Sequence, residues 1–138
     1  MSEGRTSGTG PRPRRKLAVL ACMDARIELF SLLGLERGDA HIVRNAGGML
    51  TDDALRSLSA SQRLLGTEEV VVVMHRDCGM EGHAELGGFD DLEVTLRETL
   101  DRLRTAPELV AHDKIRGLVY NPEADELEPT DGGSTRPS

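Results

Sequence analysis

Two cysteines and one histidine are the residues of this chain best suited to chemistry. Cys22 stands in "LAVLACMDAR", while His75 and Cys78 stand in "EEVVVVMHRDCGM", and each group falls where an apolar run ends. A single H-x-x-C pair says little, because a lone buried cysteine behaves as a small hydrophobe. Two thiolates and one imidazole together make a soft three-donor set that zinc accepts in tetrahedral geometry, with the fourth position left for water or substrate. A closed structural site would want a fourth donor, and there is no third cysteine to give it. His41, His83, His112 or a carboxylate stay open as candidates for that position. Thiol exchange fits less well, since the chain has no C-x-x-C. A phosphatase loop is excluded too, because no arginine stands six positions after either cysteine.

Asp24 and Arg26 follow Cys22 at i+2 and i+4. If the chain stays extended there, all three side chains project on one side. Asp24 then chooses between two partners. It can close the metal site as fourth ligand, or form a two-pronged pair with Arg26 and leave the metal to water. A plainer role for Asp24 is to cap a helix over "ARIELF". Asp77 reads as a loop-stabilising carboxylate and Arg44 as a structural or interface residue. His83 is either a proton shuttle or a solvated loop histidine. His41 and His112 carry no special signal.

The elements that position these residues alternate along the chain. "KLAVLACM", "AHIVRNAG", "EEVVVVMH" and "KIRGLVYN" read as strands, and four consecutive valines suit a strand covered on both faces. "TDDALRSLSASQRLLG" reads as a helix capped by Thr51, with Leu55, Leu58 and Leu65 on its apolar face and Gly66 as its stop. "DDLEVTLRETLDRLRTAP" repeats the pattern with Leu92, Leu96, Leu100 and Leu103, and "RIELFSLLG" is a shorter helix. "DELEPT" suits a short edge strand, where Pro129 is tolerated. This alternation predicts a single α/β domain with a mostly parallel central sheet flanked by helices. Both cysteines then lie at carboxyl ends of strands, where such sheets bind ligands if the strands are neighbours.

Composition narrows the function further. The 138 residues suit one domain, and with one Tyr, two Phe and no Trp the core must be aliphatic. A small aliphatic core of this kind is often completed by a second subunit. The formal charge is −7 although residues 1–16 are strongly basic, so the body is acidic and argues against nucleic acid or an anionic membrane as partner. Residues 1–15 and 131–138 read as disordered, solvated tails around a domain at 16–130. The twin arginine before "KLAVLAC" imitates a secretion signal, but the apolar segment before Cys22 is too short for one. No run approaches a membrane span. A cytoplasmic location, with the cysteines reduced or bound to metal, is the expectation.

"CMDAR" and "HRDCGM" resemble the C-x-D-x-R and H-x-x-C-G motifs of the β-class carbonic anhydrases, and "HIVRNAGG" and "KIRGLVYNPEADEL" extend the likeness over about residues 16 to 130. It is closest to the short, minimal members. The resemblance implies Zn2+ on Cys22, His75 and Cys78, with Asp24 and Arg26 orienting a zinc-bound hydroxide that hydrates carbon dioxide to bicarbonate. Gly47 and Gly48 would let backbone approach the substrate. It also implies a sheet in the order 2-1-3-4 with an antiparallel edge strand 5, and a homodimer or dimer of dimers. Activity should rise toward alkaline pH, because two thiolates weaken the acidification of water. Two alternatives stand beside this one: a related hydrolase of COS or CS2, and a non-catalytic zinc protein closed by Asp24. Arg76 departs from the small polar residue that often follows the ligand histidine in this family, and its charge would favour bound anions or contact a subunit.

Overall fold

The computed structural model of the protein describes residues 10–129. Its five strands are β1 (Leu17–Cys22), β2 (Ala40–Asn45), β3 (Glu69–His75), β4 (Lys114–Asn121) and β5 (Glu126–Pro129). They form one sheet in the order β2-β1-β3-β4-β5. The first four are parallel and β5 runs antiparallel to β4. The expected α/β architecture, strand order and antiparallel edge are all present.

Three helices connect the strands: α1 (Leu29–Leu33), α2 (Asp52–Arg63) and α3 (Leu92–Thr105). The second packs against β1 and β2, the third against β3 and β4. Every residue of β1 and β3 is buried as a result. This is why both strands read as unbroken apolar runs rather than as an alternation. The core is aliphatic, built on Leu17, Leu20, Leu58, Leu96, Leu100, Leu103, Leu118 and the valines of β3.

Local chemistry sets the helix ends. Thr51 Oγ1 accepts the Ala54 N–H at 3.1 Å, and Asp91 Oδ1 accepts that of Val94 at 2.9 Å. Each cap is worth about 1 kcal/mol. The buried face of α2 differs from the expected leucine stripe. Leu58 is buried, but Leu55 and Leu65 are half-buried, and Ala54, Ser61 and Gln62 take their place. The two polar residues tolerate burial because each is hydrogen-bonded. Ser61 bonds Thr67 Oγ1 at 2.7 Å, while Gln62 Oε1 accepts the N–H groups of Val110 and Ala111. The first helix begins at Leu29 with Glu28 before it, so Asp24 does not cap it.

Residues 1–9 and 130–138, which hold most of the two expected tails, lie outside the described residues. Ahead of β1, the Arg14 and Arg15 N–H groups donate to the carbonyls of Gly38 and Asp39 at 2.9 and 3.0 Å. No helix among the described residues is long and apolar enough to cross a membrane.

Candidate metal centre

The parallel ladder from Leu17↔Glu69 to Ala21↔Val73 sets the carboxyl ends of β1 and β3 side by side. Cys22 ends the first strand and His75 the third, and Cys78 follows in the loop after β3. The ligand atoms of Cys22, His75 and Cys78 all lie within 4.8 Å of one another, and all three residues are buried. The ring of His75 fixes its own role. Its Nδ1 lies 2.8 Å from the Arg76 carbonyl, so the proton sits there and Nε2 keeps its lone pair. Nε2 is buried and without a hydrogen-bond partner. Leaving such an atom unsatisfied costs about 1–3 kcal/mol, and a cation shared with two thiolates satisfies it. The donor set therefore fits a soft divalent metal.

Backbone N–H groups support both sulfurs. Gly47 donates to Cys22 Sγ at 3.3 Å and Met80 to Cys78 Sγ at 3.5 Å. Burial pushes the Cys22 thiol up, but the adjacent His75 ring and the N–H groups of Asp24 and Gly47 outweigh it and bring its pKa down to about 7. For Cys78 burial, with the neighbouring Cys22, raises the pKa, and the Met80 N–H, which lowers it, does not outweigh them. Burial lowers the pKa of His75, yet the Cys22 thiolate and the Arg76 carbonyl reverse the sign and raise it.

Asp24 is not part of the three-residue cluster. Its Oδ2 lies 3.7 Å from His75 Nε2, and both of its oxygens are engaged by Arg26. Nε donates to Oδ1 at 3.0 Å and Nη2 to Oδ2 at 2.8 Å. This two-pronged pair holds the carboxyl far below the usual carboxylate range, so it is ionised at any working pH. The two residues do not meet through an extended chain, as the spacing suggested. Residues 25 and 26 form a turn, and Asp24 Oδ1 also accepts the Arg26 N–H at 2.8 Å.

Three further residues support the site: Arg44 and Asp77 in the structural and loop-stabilising roles read from sequence, and Arg76 through contacts that sequence did not show. The Arg44 guanidinium donates to the carbonyls of Cys22 at 2.9 Å, Asp24 at 2.9 Å and Ile27 at 3.4 Å, pinning the loop that carries the pair. The β1–β2 register sets Arg44 opposite Ala21, beside the strand end that carries Cys22. Asp77, at a positive φ of 56°, returns to Arg26 through Oδ2 and its carbonyl, both at 3.1 Å. Arg76 turns outward to Glu93 and Glu128.

Gly47 and Gly48 lie against the site from the side of β2. A side chain at Gly48 would meet the Cys22 nitrogen at 3.0 Å and the Val73 carbonyl at 3.2 Å, and its φ of +64° favours glycine as well. His83 is exposed and paired with Glu85 at 3.2 Å. His41 bonds Ser61 and the Pro11 carbonyl, and His112 the Ala106 carbonyl. None of the three histidines joins the cluster.

Comparisons with known proteins follow the same lines. The family described as carbonic anhydrase matches residues 17–127. The β-carbonic anhydrase 1 of Mycobacterium tuberculosis is 37% identical over 127 residues, covering 79% of this chain and 78% of that one. A carbon disulfide hydrolase of Acidithiobacillus thiooxidans is 52% identical over 100 residues, covering 69% of this chain but 48% of its own length. The crystal structure of a carbonic anhydrase from Streptococcus mutans superposes with a TM-score of 0.80 at 34% identity, covering 87% of this chain and 84% of that one.

Proposed function

The chain belongs to the carbonic anhydrases of the β class, and on that premise we propose that it catalyses the reversible hydration of carbon dioxide to bicarbonate and a proton, with Zn2+ held by Cys22, His75 and Cys78. One observation carries the reading: the buried, unpartnered Nε2 of His75 faces two thiols while Arg26 keeps the nearest carboxylate occupied.

Zinc lowers the pKa of a water it binds and so supplies a hydroxide nucleophile near neutral pH, an effect for which carbonic anhydrase is itself the standard illustration. The protein's own groups do the rest. Asp24, ionised at all working pH, would accept a hydrogen bond from the nucleophile and so orient it toward the substrate. Arg26 holds Asp24 for that task and keeps it from closing the site. The N–H groups of Gly47 and Met80 steady the thiolates, and Gly47 and Gly48 leave room beside them for a small linear substrate.

Residues 16–130 form the working domain, between a segment at 1–15 whose Arg14 and Arg15 bond to that domain and a tail at 131–138. Its unit is a homodimer or dimer of dimers. β2 is an edge strand whose Ala40, Ile42 and Val43 are only half-buried, and Leu64 is 69% exposed, so a second copy would complete the burial. Its place is the cytoplasm, where both ligand thiols stay reduced.

The 52% identity to a carbon disulfide hydrolase favours a second reading, hydrolysis of CS2 or COS by the same residues. Metal analysis with stopped-flow kinetics separates the possibilities. We expect about one zinc per chain, carbon dioxide hydration that rises between about pH 7 and 9, and a loss of about 10²-fold in Asp24→Ala with zinc retained. Hydrogen sulfide release from CS2 without carbon dioxide hydration would establish the second reading. Bound zinc with neither activity would mean a non-catalytic site closed by Asp24, and a metal-free wild type overturns all three.

A further inference from the structure

We propose that Arg76 is a positioning residue for the metal centre: its side chain, clamped between Glu93 and Glu128, fixes the backbone carbonyl that orients His75. The proposal deepens the zinc reading and rests on it.

Arg76 immediately follows the ligand histidine, and a free cation there would oppose a metal ion. The structure gives it no freedom. Nη1 meets Glu93 in the first turn of α3 at 2.6 Å, and Nη2 meets Glu128 on β5 at 2.9 Å. Asn121 Nδ2 braces the second oxygen of Glu128 at 3.3 Å. Two carboxylates therefore surround one guanidinium, and the net charge of the cluster is negative rather than positive. The partners hold the Arg76 charge firmly, and Arg76 in turn depresses Glu128.

The backbone of the same residue performs a different task. Its N–H donates to the Tyr120 carbonyl at 2.9 Å, extending the β3–β4 ladder by one step. Its carbonyl takes the Nδ1 proton of His75 at 2.8 Å. That second bond decides which ring nitrogen faces the thiols, and partners of this kind typically govern metal affinity by about 10- to 100-fold. A carbonyl at the start of an irregular loop has no ladder of its own to hold it. The side chain of Arg76 anchors one side of that peptide to two separate elements, and Arg26 grips the next residue, Asp77, from the other. The segment carrying His75 and Cys78 is thus fixed at consecutive positions by two arginines.

The test measures zinc affinity by chelator competition, the zinc release rate and the thiolate-to-metal absorption of the cobalt-loaded protein. These are read on wild type, Arg76→Ala, Arg76→Lys and the double variant Glu93→Gln/Glu128→Gln, which keeps the Arg76 backbone and leaves the fold's core untouched. Positioning predicts that zinc binds about 10-fold more weakly and leaves faster in Arg76→Ala and in the double variant, with an altered cobalt band. Arg76→Lys, whose ammonium still sits between the carboxylates, should recover part of the loss. Equal zinc affinities across the set overturn the proposal. So does a lowered unfolding temperature of the metal-free variants with unchanged affinity, since that is what a purely structural clamp would give. A wild type that binds no zinc overturns the zinc reading itself.

Discussion

Arg26 occupies both oxygens of Asp24 while Oδ2 of that carboxylate stands 3.7 Å from His75 Nε2. The carboxylate is thus a near neighbour of the metal position that is restrained from reaching it, by the Arg26 side chain on both oxygens and the Arg26 N–H on Oδ1.

Removing the restraint separates metal binding from turnover. In Arg26→Ala the freed Asp24 can approach the metal, so zinc should be held at least as tightly as in wild type while carbon dioxide hydration falls by about 10²-fold or more. Equilibrium dialysis and stopped-flow hydration on the same preparation check this. Full activity in the variant would show that Asp24 needs no such partner.

Zinc affinity should rise with pH. The metal binds thiolates and neutral imidazole, so each proton still on a ligand must be displaced. Above about pH 7 the proton on Cys78, whose pKa burial raises, is the one at issue. Below about 7 Cys22 takes one up as well, and His75, where burial is outweighed by the Cys22 thiolate and the Arg76 carbonyl so that the pKa is raised, adds a third as pH falls. The logarithm of affinity should climb with a slope of about 1 on the alkaline side and steepen as pH falls through 7. Chelator competition at fixed ionic strength reads both slopes, and a constant slope would mean the thiols do not differ.

Asp39 should stabilise the fold at neutral pH but not in acid. Its Oδ2 accepts the Glu36 N–H at 2.9 Å and its Oδ1 two bonds from Arg14 at 3.0 and 2.8 Å, and these bonds lower its pKa, the Glu36 N–H most. A depressed carboxyl contributes fully above its unfolded value of about 3.9, and its contribution disappears as pH falls through the lower folded value. Because Arg14 is partly exposed, we expect Asp39→Asn to cost only about 1–2 kcal/mol at pH 7. Urea denaturation should show the two proteins converging as pH falls below the unfolded value of about 3.9.

Two glycines provide a matched pair. Gly48→Ala meets both a left-handed φ of +64° and backbone atoms of Cys22 and Val73, whereas Gly66→Ala meets a φ of +80° with open space around it. The first should cost about 2–4 kcal/mol and weaken zinc binding, the second about 1 kcal/mol with zinc binding unchanged. Thermal unfolding and metal titration distinguish them. Equal penalties would mean that close packing at Gly48 contributes nothing.

The ligand cluster was legible because Cys22 and His75 each end an apolar run and Cys78 follows His75 at i+3, while alternation of such runs with capped helices predicted the α/β class and the family resemblance implied the strand order. Asp24 and Arg26 were legible as a pair, but not the turn that joins them, since i, i+2 spacing serves an extended chain and a tight turn equally well. Arg44 read as structural, but its acceptors were not legible, because the three carbonyls become neighbours only after β1 and β2 align. Arg76 was misleading: sequence shows a charge beside a ligand, while the carboxylates that enclose it come from α3 and β5. Ser61 and Gln62 confounded the helix stripe for a similar reason, as their burial depends on partners in other segments.

The ladder between β1 and β3 pairs Leu17 to Ala21 with Glu69 to Val73, and every residue of both strands is buried. The separation of Cys22 from His75 is therefore set by the packing of the aliphatic interior, several residues away from any donor atom. Interior volume and ligand spacing become one property: a methylene lost beneath these strands would loosen the grip on the ion as well as the fold.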